Sequence, residues 1–98
     1  MYQKEFYKTI DREKISEYVM KEGFNPILII NKPGFVYSEH KHPETKLLVF
    51  LEGNVKVIVD GEKYHCLPGD KLIVPANTTH SAIVGGEGCS FFWSEKIL

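Results

Sequence analysis

The stretch that decides the fold reads His40-Lys41-His42-Pro43-Glu44-Thr45-Lys46-Leu47-Leu48-Val49-Phe50-Leu51-Glu52-Gly53. Two histidines stand two residues apart at the head of an apolar run. On a β-strand, residues i and i+2 point to one face, so this spacing aims both rings into one space. The apolar run sets that space beside a core. A third histidine, His80, follows in another Pro-containing, strand-flanked segment. Three imidazoles that a β-barrel can bring together form a candidate metal site.

Outward from this stretch, short apolar runs alternate with turn residues. Ile27–Ile30 reads as a strand closed by the turn Asn31-Lys32-Pro33-Gly34, and Phe35–Ser38 leads into the histidine pair. Leu47–Leu51 is the next strand, and Glu52-Gly53-Asn54 a turn. Val55, Val57 and Val59 mark one apolar face of a strand. Asp60-Gly61 is a hairpin signal, with Lys63–Leu67 as the return strand. Pro68-Gly69-Asp70 is a turn, Leu72–Val74 a strand and Pro75–Thr79 a loop. Ser81–Val84 is a strand, Gly85-Gly86-Glu87-Gly88 a flexible turn, and Ser90–Trp93 the last strand.

Upstream, residues 2–10 suit an edge strand. Asp11 reads as an N-cap, Ile15, Tyr18 and Val19 fall at helical spacing, and Gly23 is a stop, which predicts a helix over 12–22. Such a helix covers an open end or edge of a sheet. About eight short strands with Gly/Pro turns predict an antiparallel sandwich or barrel.

Composition agrees with one small domain over residues 1–98. Of the 98 residues, 43% are hydrophobic, enough for one modest core, and 12% are aromatic, which favours β architecture. The net charge of -1, with basic residues scattered, carries no nucleic-acid footprint. The longest apolar runs are too short to span a bilayer. The N-terminus has no apolar h-region, so a cytoplasmic, reducing setting is expected, with Cys66 and Cys89 as buried thiols.

The spacings also carry a resemblance. Gly34, five residues, His40-Lys41-His42, then six residues from Lys46 to Gly53 resemble the first motif of the cupin superfamily. Gly69, five residues, Pro75-Ala76-Asn77, two residues and His80 resemble the second, which ends here at Val84. The motifs occupy 34–53 and 69–84. The resemblance implies an all-β cupin jelly-roll barrel with a short N-terminal helix, and it implies no single reaction. In metal-binding cupins the two motif histidines, a motif Glu and the later histidine ligate a divalent ion. Carried over, His40, His42 and His80 are retained as metal ligands, and Lys46 stands where the carboxylate belongs. Asn77 replaces a turn glycine, a mild change because Asn tolerates positive φ. Val84 replaces a terminal Asn.

A three-histidine face leaves positions open for water or substrate, as catalysis requires. It resembles the minority of cupins, such as thiol and diketone dioxygenases, that hold Fe(II) with three histidines. Zn, Ni, Mn and Cu also suit imidazole. The alternative is that the histidines are hydrogen-bonded barrel residues without metal.

Strand parity points Lys46 inward with the histidines. An ammonium about 6 Å from a dication, at an effective dielectric near 20, is repelled by on the order of 5 kcal/mol. Lys46 is therefore expected to be neutral, to snorkel to the rim, to share an anionic ligand with the metal, or to line a metal-free cationic pocket. Pairing with Glu44 or Glu39 at the rim competes with these. Glu44 is a candidate fourth ligand, with a solvated loop charge as its alternative.

Tyr64, Phe50 and Trp93 are candidate pocket-lining residues, and His65 is expected at the surface. No nucleophile elbow appears. Two functional readings follow: a metal-dependent enzyme, such as a dioxygenase or isomerase, on a small anionic molecule; or a non-catalytic ligand-binding or sensor cupin. A homodimer through edge strands is expected as well, with no nucleic-acid or membrane partner.

Overall fold

Two long bent strands carry the architecture, and their apolar pattern explains why. The computed structural model describes residues 1–96. In order these form β1 (Tyr2–Gln3), α1 (Arg12–Lys21), β2 (Phe24–Asn31), β3 (Val36–His40), β4 (Lys46–Val59), β5 (Glu62–Cys66), β6 (Lys71–Val74) and β7 (His80–Lys96). Every pairing is antiparallel. The path runs β1-β6-β4-β7-β2, with β3 added on β7 and β5 on β4, and the sheet does not close on itself.

β4 and β7 pair along almost their whole length, from Lys46↔Glu95 to Val59↔His80. The first half of β4 carries β6 and the second half β5. β7 divides in the same way between β3 and β2. The two halves of this ribbon therefore act as two facing sheets, the jelly-roll arrangement expected from the sequence. One core lies between them. Leu48, Phe50, Leu72, Val74 and Phe91 from one half meet Val55, Val57, Val59 and Val84 from the other.

Two predicted turns are strand interior. Glu52-Gly53-Asn54 lies within β4, and Gly85–Gly88 lies within β7. Composition marks both as turns, but each finds its hydrogen-bond partners in the other strand. Register shifts between Phe50 and Glu52 and between Gly53 and Val55 bend the ribbon there. The bend needs glycine. Gly53 has φ +72°, and a Cβ on it would stand 1.9 Å from the Gly88 carbonyl oxygen.

Every residue from Lys46 to Leu51 is buried. The run is continuous rather than alternating because both faces are covered. Leu48 and Phe50 face the inner core, whereas Leu47, Val49 and Leu51 pack beneath α1 with Ile15, Val19 and Phe92. Burying Ile15 and Val19 contributes roughly 1.5–3 kcal/mol each. Asp11, in extended conformation, caps α1 by accepting from Lys14 N at 3.2 Å. Gly23, at φ +90°, follows the last turn. Tyr18 does not join the apolar face. It is half exposed and stacks on Tyr7.

The predicted N-terminal edge strand shrinks to two residues. Asp70 captures the next stretch by accepting from Glu5 N at 2.8 Å, and Tyr7 N then donates to Gly69 O at 3.0 Å. The segment is docked as a loop rather than paired as a strand. Among the described residues, no helix is long and apolar enough to cross a membrane.

Candidate metal centre

Two strand ends and two loops bring the three histidines together. His40 closes β3 and His80 opens β7, and the two are directly paired. A bulge in β3 between Tyr37 and His40 sets this register. The i, i+2 spacing predicts His42 on the strand with His40, but the strand ends at His40. His42 lies in the loop after β3, because the next ladder position is taken up by the chain turning towards Pro43. Its ring is brought to the site from that loop, whose His42 carbonyl accepts from Asn77 N at 2.6 Å. Asn77 has φ +57°, the left-handed conformation expected of an Asn in place of the turn glycine.

One donor nitrogen from each of the three histidines lies within 4.8 Å of the others. Ring centroids are 4.7 Å apart for His40 and His42, 4.4 Å for His40 and His80, and 5.2 Å for His42 and His80. Two of the rings are oriented by backbone. His40 Nδ1 donates to Ser38 O, and His80 Nδ1 donates to Thr78 O at 3.0 Å. A carbonyl only accepts, so these bonds fix the tautomer and leave Nε2 with its lone pair. The buried Nε2 atoms of His42 and His80 have no hydrogen-bond partner among the described residues. Burial lowers the pKa of His42, helped by repulsion from His40, Lys46 and His80. Burial also lowers that of His80, with His40 and Lys46 adding to it and the Thr78 bond opposing. Neutral imidazoles with free lone pairs are the form that ligates a metal, so the residues present fit a divalent ion.

Lys46 points inward, as strand parity predicts, and is 2% exposed. Its ammonium is already engaged. It pairs with Glu95 and, at 3.6 Å, with Glu44, and lies 5.2 Å from the centroid of the Trp93 ring. The Lys46 hydrogen bond and charge hold the Glu95 carboxyl below its ordinary pKa. Of the two rim partners read from the sequence, Glu44 is one and Glu39 is not. Glu44, about half exposed, faces Lys46 and stands outside the histidine cluster. Glu95 carries no sequence signal. It reaches Lys46 only because β4 and β7 pair in that register.

Behind the histidines lies a cavity of about 260 Å³. Phe50 and Trp93 line it together with Ile29, Tyr37, Leu48, Val55 and Phe91. Trp93 touches the site directly, its centroid 5.5 Å from His42 and 6.4 Å from His80. Tyr64 does not line this cavity. It sits on β5 opposite Val57, packs against the inner core with its ring 5.1 Å from that of Tyr2, and borders a separate hollow together with His65. Tyr37 was missed. Its ring faces the cavity, while its hydroxyl donates to Asn31 Oδ1 at 2.8 Å.

Known proteins share this fold. The family model described as a cupin domain matches residues 27–95. Quercetin 2,3-dioxygenase of Bacillus subtilis is 32% identical over 59 residues, covering 59% of this chain and 18% of that protein. Dimethylsulfoniopropionate lyase DddW of Ruegeria pomeroyi is 30% identical over 59 residues, covering 60% of this chain and 39% of that protein. The chain thus spans well under half the length of either relative. The solved structure of an RmlC-like cupin from Shewanella frigidimarina superposes with a TM-score of 0.70 at 22% identity, covering 78% of this chain and 68% of that one. The family match, the jelly-roll topology and the clustered histidines lead to one conclusion: the chain belongs to the cupin family.

Proposed function

We propose that the protein is a metal-dependent enzyme acting on a small molecule, with His40, His42 and His80 as the ligands of a divalent transition metal. One observation carries this reading: three imidazoles converge, and the buried Nε2 atoms of His42 and His80 have no partner among the described residues. Leaving two such atoms unsatisfied costs about 1–3 kcal/mol each, which a bound ion would offset. A metal held by three ligands supplies Lewis-acid or oxygen-binding chemistry at its open positions. The names of the two relatives, a dioxygenase and a lyase, support an enzyme of this kind.

The chain's own residues then divide the work. The Ser38 and Thr78 carbonyls orient His40 and His80. Trp93 packs against His42 on one side and beneath the Lys46 ammonium on the other, so it holds both in place. Glu44 and Glu95 balance the Lys46 charge, which reduces its repulsion of a dication.

Elemental analysis of protein purified without a metal-binding tag tests the reading, together with cobalt(II) titration followed by visible absorption. One equivalent of metal, lost in His80→Ala, is expected. A metal-free protein whose cobalt spectrum is untouched by His80→Ala sinks it, and leaves a non-catalytic binding cupin. Two further parts of the proposal are a homodimer and a reducing, cytoplasmic setting. Exposed Ile27 and Ile30 on β2 support the dimer, and sedimentation velocity tests it. The free buried thiols of Cys66 and Cys89 support the setting.

A further inference from the structure

The cavity behind the histidines is chemically one-sided. Its walls are aliphatic and aromatic from the histidine level down to Phe50 and Phe91. Register gives it depth. His80 pairs with Val59, and Val84, four residues on, pairs with Val55. At about 3.3 Å per residue, the wall residue Val55 lies roughly 13 Å along the strand from the level of His80. The polar groups that border it are already committed or belong to the site. Tyr37 donates its hydroxyl to Asn31, and the imidazoles form the metal cluster. Among the described residues, no lysine, arginine or carboxylate lines it. Lys46, the cation nearest the site, is held by Glu95 and Glu44.

This bears on ligand charge. A charged body in such a pocket would be desolvated without a counter-ion, whereas an apolar body would displace little bound water. Size bears on it too. An apolar cavity of about 150 Å³ suffices for benzene, so one of about 260 Å³ suits a single ring with a short substituent.

We infer that the cavity binds one uncharged, predominantly apolar molecule of single-ring size, with its body against Phe50, Val55 and Phe91 and its one polar head towards the histidines. The inference rests on the reading of those histidines as the reactive end of the pocket. It replaces an anionic ligand anchored by Lys46 with a neutral one that Lys46 does not touch.

Toluene, benzyl alcohol and benzoate serve as probes of matched size and different charge. Binding is read by Trp93 fluorescence and by proton chemical shifts, in protein as purified and after chelation of metal. The two neutral probes are expected to bind chelated protein saturably and at least tenfold more tightly than benzoate. Ala82→Leu, which fills the cavity wall, is expected to weaken both neutral probes at least tenfold. Val57→Leu serves as the second, milder filling variant should the first not fold. Benzoate binding as tightly as the neutral probes, or no saturable binding of either neutral probe, overturns the inference. A cobalt titration of the same samples keeps the two failures apart. Cobalt uptake with a preference for benzoate sinks the ligand class alone, whereas neutral-probe binding without cobalt uptake sinks the metal reading alone.

Discussion

Replacing Asp70 with asparagine tests the junction that fastens the N-terminal segment to the barrel. Asp70 is fully buried. Its Oδ2 accepts from the Tyr2 hydroxyl at 2.5 Å and from Leu67 N at 2.8 Å, and its Oδ1 accepts from Glu5 N at 2.8 Å. Burial pushes the carboxyl pKa up, but the bonds from Tyr2, Glu5 and Leu67 outweigh it, so the pKa lies below the ordinary value. Asparagine has one acceptor oxygen and one NH₂ group. Whichever way the amide turns, the N–H of either Glu5 or Leu67 meets that NH₂ and loses its partner. An orphaned buried donor costs about 1–3 kcal/mol, and the remaining bonds lose their charge assistance. The expected loss is about 3 kcal/mol near neutral pH, a large share of the roughly 5–15 kcal/mol typical of a domain. For a chain of this size it corresponds to a fall in Tm of roughly 12–24 °C.

Urea unfolding followed by Trp93, the single tryptophan, measures the loss. The pH dependence has a definite sign. Because the folded pKa is depressed, the contribution of Asp70 is complete above the unfolded value near about 3.9, and is lost as pH falls through the folded value. A protonated Asp70, like asparagine, keeps one full carbonyl acceptor and presents a donor where the second carboxylate oxygen had accepted. The gap between the native protein and Asp70→Asn should therefore narrow as the solution is acidified below about pH 4. A loss under about 1 kcal/mol at pH 7, or a gap that grows on acidification, would refute the reasoning.

Other perturbations have equally definite outcomes. Lys46→Met removes the ammonium that repels the histidine site, so cobalt affinity should rise roughly tenfold or more, and an unchanged affinity would place Lys46 out of electrical reach. Gly53→Ala should cost about 3 kcal/mol in urea unfolding, because its Cβ would meet the Gly88 carbonyl oxygen at 1.9 Å, whereas Gly61→Ala, with open space around it, should cost about 1 kcal/mol. Burial pushes the Cys66 thiol up to about 12, with the Asp70 charge adding to it. A thiol reagent should therefore modify Cys66 only at the rate of unfolding, and rapid labelling of the native protein at pH 7 would contradict its burial.

Much of this protein is legible in its chain. The Gly, Pro and His spacings at 34–53 and 69–84 pointed to a cupin barrel. Such spacings are local demands of turns and strand ends, which one sequence carries in full view. The inward parity of Lys46, Phe50 and Trp93 was likewise readable, because a strand's side chains alternate whatever it pairs with. Three things needed the tertiary structure. The merging of four predicted strands into β4 and β7 depends on each supplying the other's hydrogen bonds across the glycine bend, which composition reads as a turn. The placing of His42 in a loop rather than on β3 depends on the Asn77 backbone, 35 residues away. And the neutralisation of Lys46 by Glu95 depends on a register set 49 residues along the chain. Local periodicity fixes where a side chain points, but only the pairing of distant strands decides what it meets. That difference gives Lys46 two carboxylate partners, of which Glu44 is readable from its neighbourhood in the sequence and Glu95 is not.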